Sequence, residues 1–111
     1  MSEVLKDYDS VVTTLKQKHK NIDPFLLLKS SMLMRKYPNE SIQRFWLEFS
    51  FKHEENEDQE VRRLQNYLGK MIAGHGHGHY EVVLQTDLET VVSIARQHSI
   101  EWLGGEVYPN T

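Results

Sequence analysis

The sequence predicts an α+β fold. Two N-terminal helices precede a strand-helix-strand-helix unit and a short final strand, giving a small sheet covered by helices. Three observations carry this reading. Apolar residues recur at helical spacing in the first third of the chain and again over 57–73 and 88–98. Two stretches alternate apolar and polar residues with period two. Capping and stop signals separate these segments. Strand–helix–strand units of this size favour one sheet with helices packed on it.

The first helix spans about 3–20. Val4, Leu5, Tyr8, Val11, Val12 and Leu15 make its apolar stripe. Ser2 caps its start, and Lys16, Lys18, His19 and Lys20 crowd a last turn that the helix dipole makes favourable for positive charge. Asn21 is the stop. The second helix opens with Asp23 at the cap and Pro24 at the first helical position. Phe25–Leu28, Met32, Leu33 and Met34 are apolar on more than one side, so this helix is expected to be the most buried element. It ends before Pro38, which pushes its predecessor out of helical geometry.

Residues 41–53 fit two readings. As a strand from about Arg44, Phe45, Leu47, Phe49 and Phe51 share one face, with Trp46, Glu48, Ser50 and Lys52 opposite. As a helix, Ile42, Phe45, Trp46 and Phe49 align while Leu47 and Phe51 fall off the stripe. Aromatic enrichment favours the strand. The acidic run after His53 lacks the spaced oxygen ligands and central glycine of a calcium loop. A helix over 57–73 follows, with Val61, Leu64, Leu68, Met71 and Ile72 on one face, Asn56 at its cap and Gly74 at its end. Gly69 falls inside it, at a cost of about 1 kcal/mol relative to Ala. Tyr80–Gln85 reads as the second strand. Thr86 to Glu89 reads as a capping box for a helix running to about His98. Residues 99–108 supply a short strand, or two around Gly104-Gly105.

The chain has 111 residues, which bounds it to a single domain over 1–111. It has no cysteine, so disulfide scaffolds and Cys-based zinc sites are excluded. The longest uninterrupted apolar run is Phe25–Leu28, far short of the roughly 20 residues of a membrane span. Met1-Ser2-Glu3 does not open a signal peptide, so a cytoplasmic location is expected. The net charge of −3 argues against binding that depends on neutralising phosphates. It divides into +3 over residues 1–53 and −6 over 54–111. Such asymmetry reads as two solvated faces, or as a basic face for an acidic partner, or as head-to-tail self-association.

Gly74-His75-Gly76-His77-Gly78-His79 is the most chemically suggestive run. If extended, His75, His77 and His79 project to one side at roughly 6–7 Å intervals. Imidazoles so spaced suit zinc, nickel or copper. Further ligands would come from His53, Glu54, Glu81 or His98. The competing reading is a flexible, polar helix-to-strand loop. No nucleophile elbow, Walker motif, dinucleotide fingerprint or H-E-x-x-H is present, so a non-enzymatic role is favoured. Trp102 is read either as a core-sealing residue or as an exposed interaction anchor, and Trp46, opposite the apolar face of its strand, as exposed for binding or as covered by the N-terminal helices or another subunit. The expectation is a small non-catalytic protein acting by macromolecular interaction, as an adaptor, regulator, inhibitor or small subunit. A protein is the expected partner, with self-association as a variant. The alternatives are metal or small-ligand binding by the histidine run and, more weakly, nucleic-acid regulation by Lys16, Lys18, Lys20, Lys29, Arg35, Lys36 and Arg44.

Overall fold

A computed structural model describes residues 2–53, 56–76 and 78–110. Local capping chemistry starts each helix. In α1 (Glu3–Lys18) the Ser2 hydroxyl oxygen accepts from the Leu5 N–H at 3.2 Å. In α2 (Pro24–Lys36) Asp23 accepts from the Phe25 N–H at 2.9 Å, and the helix stops at Tyr37, before Pro38. Strand β1 (Gln43–Phe51) buries Gln43, Phe45, Leu47, Phe49 and Phe51, with more exposed residues between them, which settles the ambiguous stretch as a strand. In α3 (Glu57–Leu68) Asn56 accepts from the Gln59 N–H at 3.2 Å.

The end of α3 differs from expectation. Gly69 adopts φ 65° and caps the helix rather than lying within it. A left-handed residue suits glycine and ends a helix by bonding its N–H back to an orphan carbonyl, here that of Gln65. The chain then leaves the helical path, so Met71 is exposed while Ile72 is buried. Ala73–Gly74 form the short β2, paired with β3 (His79–Thr86). The next cap also shifts by one residue. Asp87, not Thr86, accepts from the Thr90 N–H at 2.9 Å, and α4 spans Leu88–Ala95.

The final strand is long. β4 (Ile100–Pro109) runs ten residues straight through Gly104-Gly105. Glycine usually interrupts a strand. Here Gly105 sits at φ 130°, and a Cβ there would collide with the Trp46 carbonyl oxygen, so glycine permits close approach of β4 to β1.

All strand pairs in the sheet are antiparallel, in the order β2-β3-β1-β4. Phe45, Leu47, Phe49 and Phe51 of β1 share one core cluster with Leu26 and Leu27 of α2, Leu64 of α3, and Val91, Ile94 and Ala95 of α4. These helices therefore cover the same sheet face, and α1 packs on α2 outside them. The α1–α2 connection docks on the outer edge of β4, where the Asp23 N–H donates to Leu103 O and the Leu103 N–H to Asn21 O. Inside, the Ser30 hydroxyl of α2 donates to Gln43 Oε1, and Gln43 Nε2 donates to the Ser30 carbonyl at 3.0 Å.

The second helix is not the most buried element. It buries Leu26, Leu27 and Ser30 but leaves Phe25, Met32 and Met34 exposed. A helix at one end of a small sheet has one face to cover, whatever its composition.

Candidate functional site

The opposite sheet face carries the side chains that alternate with the core. From β1 these are Arg44, Trp46, Glu48 and Ser50; from β4, Trp102, Glu106 and Tyr108; from β3, His79, Glu81, Val83 and Gln85. Period-two geometry puts them on one side. Trp46 is 46% exposed and Trp102 is 41% exposed. Both lie on this open face, as the strand reading implied for Trp46. Trp46 lies beside Glu106, whereas Trp102 lies beside Ser50. Their backbone positions are thus about 13 Å apart along the strands.

Two carboxylates occupy the space between them. Glu48 faces Glu81 directly across β1 and β3. Glu81 is well held: the Trp46 Nε1–H donates to Oε2 at 3.0 Å, and His75 Nε2 lies 2.8 Å from Oε1. The indole hydrogen bond first, and the His75 contact second, hold the Glu81 carboxyl below its usual range. Among the described residues Glu48 has no hydrogen-bond or ion-pair partner. On its other side lies Gly104, whose missing Cβ lets the Trp102 ring fold down against the sheet. Glu48, His75, His79, Tyr80, Glu81 and Trp102 line a depression of about 370 Å³. At the far corner Lys29 reaches from α2 to pair with Glu106 at 3.1 Å and lies 4.9 Å from the Tyr108 ring centroid.

The histidine run is not extended. The His75 N–H donates to His79 O at 2.9 Å, and Gly76 and Gly78 take φ 81° and 74°. Glycine supports these left-handed positions, so the chain folds back as a tight hairpin. His75 and His79 therefore face one another from opposite arms instead of following one another along a strand. His77 lies outside the described residues, as does Glu54. Among the described residues no three His, Asp or Glu groups are placed to hold a metal ion. Tyr80 anchors the hairpin from the core side. Its hydroxyl donates to Glu57 Oε2 at 2.8 Å, and its ring lies against Phe49 and Phe51. Burial, then the hydrogen bond to Glu57, pushes the phenol up to about 12.

Of the residues singled out from sequence, Trp102, His75, His79 and Glu81 come together here, with Trp46 at the rim. Glu48 was missed as a site residue. Its one sequence signal is its place two residues from Trp46 on the polar face of a strand. No helix among the described residues is long and apolar enough to cross a membrane. In comparisons with family models, curated proteins and solved structures, nothing matches the chain. The class defined by the fold is a small α+β domain with helices on one face of an antiparallel sheet and the other face open.

Proposed function

We propose that this protein is non-catalytic and works by binding another protein through the open face of its sheet. The observation that carries the reading is the Glu48–Glu81 pair set between two half-exposed tryptophans. Like charges directly opposite across two strands cost stability, and Glu48 has no compensating partner among the described residues. A Lys or Arg side chain from a partner would relieve that repulsion. It would also stack on the Trp102 ring, as cations do on indole faces. Exposed Trp in such a setting is the kind of anchor that dominates interfaces. The favoured partner surface is therefore basic with apolar surroundings, opposite in sign to the acidic partner that the basic N-terminal half suggests.

Glu48→Gln tests this directly. The variant is expected to be at least as stable as wild type, because the repulsion is removed, yet to lose its partner. Wild type and variant serve as baits in an extract of the native host, at low and high salt. Proteins recovered by wild type at low salt should be lost with Glu48→Gln and with Trp102→Ala. Equal recovery by all three would refute the reading.

A second reading is that the histidine run takes zinc, nickel or copper; in its favour the backbone pairs His75 with His79, but among the described residues no third ligand stands with them. Metal titration of protein purified without a metal column tests it. Micromolar affinity abolished by His75→Ala/His79→Ala supports it, and no affinity refutes it.

A further inference from the structure

Helix α1 bears an apolar stripe that its own fold leaves largely uncovered. Val4 is 78% exposed and Val11 47%. Leu5 and Tyr8 are also exposed, and the exposed Phe25 extends the patch, its ring centroid 6.5 Å from that of Tyr8. Val12 is buried and Leu15 is packed partly against the core, so one edge of the stripe is used and the rest is not. Single exposed apolar residues are ordinary. A contiguous run along one helix face marks an interaction surface.

The charges on the same helix say what fits there. Glu3, Asp7 and Asp9 lie in its first half, offset by Lys6. Lys16 and Lys18 lie in its last turn, with Lys20 just beyond. Among the described residues none of these charges is engaged in an ion pair, the pairs being Lys29–Glu106 and Arg63–Glu60. A parallel copy of α1 would set acid against acid and base against base. An antiparallel copy sets each acidic end against a basic one.

We propose that α1 pairs antiparallel with α1 of a second copy of this chain, about a two-fold axis between Asp9 and Ser10. In that register Val4 faces Leu15 of the second copy, Tyr8 faces its Val11, and Glu3 lies on the same flank as its Lys18. The surface is separate from the open sheet face, so the pairing stands or falls independently of the proposed binding role.

Sedimentation of the full chain from micromolar to millimolar concentration should show a monomer giving way to a dimer. Glu3→Lys/Asp7→Lys and Lys16→Glu/Lys18→Glu should each weaken homodimerisation by about tenfold, since each ion pair recurs by symmetry. An equimolar mixture of the two variants should restore the dimer. Circular dichroism checks that both variants remain folded. The absence of native cysteine makes orientation readable. Val11→Cys should cross-link to itself on oxidation. Val4→Cys should not, because the two copies of residue 4 lie about 16 Å apart along the helices. A wild type monomeric throughout, variants that dimerise like wild type, or Val4→Cys cross-linking as readily as Val11→Cys would overturn the proposal.

Discussion

Replacing Ser30 by alanine should destabilise the fold by an amount set by the group it leaves behind. Ser30 and Gln43 are 0% and 3% exposed, and their side chains join α2 to the first residue of β1. In Ser30→Ala, Gln43 Oε1 stays buried without a donor. An unsatisfied buried acceptor costs about 1–3 kcal/mol. At about 2 kcal/mol the thermal midpoint of a domain this size falls by roughly 8 °C. Gln43→Leu is not the mirror image. The Ser30 hydroxyl can turn back to the Leu26 carbonyl in its own helix, so the loss is nearer one net hydrogen bond, about 0.5–1.5 kcal/mol. The double variant leaves no side-chain polar group stranded. It should be more stable than the sum of the single losses allows, with a coupling of about 1–2 kcal/mol. Urea unfolding of all four proteins measures this cycle. A Ser30→Ala variant within 0.5 kcal/mol of wild type, or strictly additive losses, would refute the reasoning.

Other outcomes follow from single residues. Gly105→Ala should cost roughly 3 kcal/mol or more or prevent folding, because it combines a strained dihedral with a clash. Gly69→Ala, with open space around it, should cost about 1–2 kcal/mol in the same thermal assay. Tyr80 is raised from 10.0 to about 12, so its contribution is complete below pH 10 and is lost as pH rises through 12. Glu57→Gln should lower that value yet leave it above 10.0, since burial is the larger cause; a difference titration against Tyr80→Phe checks this. The Asp87 carboxyl is held below its ordinary 3.8 by hydrogen bonds from the Thr90 side chain and N–H. Its contribution is complete above that value and lost as pH falls through the folded one. Asp87→Ala should cost about 1 kcal/mol at neutral pH, with the gap from wild type closing in acid unfolding series.

Much of the fold was legible because its signals are short-ranged. Ser2, Asp23 and Asn56 cap helices through N–H groups two or three residues away, so the segment itself contains both partners. The alternation from Phe45 to Phe51 likewise needs no neighbour to be read. Boundaries failed where one backbone angle decided them. The turn at Gly69 and the passage of β4 through Gly104-Gly105 depend on left-handed or crowded geometry that glycine allows but does not announce. The bond from the His75 N–H to His79 O was unreadable for the same reason, since it goes with positive φ at Gly76 and Gly78.

By itself the sequence determined the α+β class, the order of helices and main strands, and which β1 residues alternate toward the core. These follow from periodicity and caps, which act over a few residues. Only the tertiary structure decided that α2, α3 and α4 all cover one sheet face, that Glu48 meets Glu81 across 33 positions of chain, and that the α1 stripe stays exposed. Each of these depends on strand register or helix docking. Register is set by the summed burial of distant side chains, and no local pattern encodes which distant residue will stand opposite.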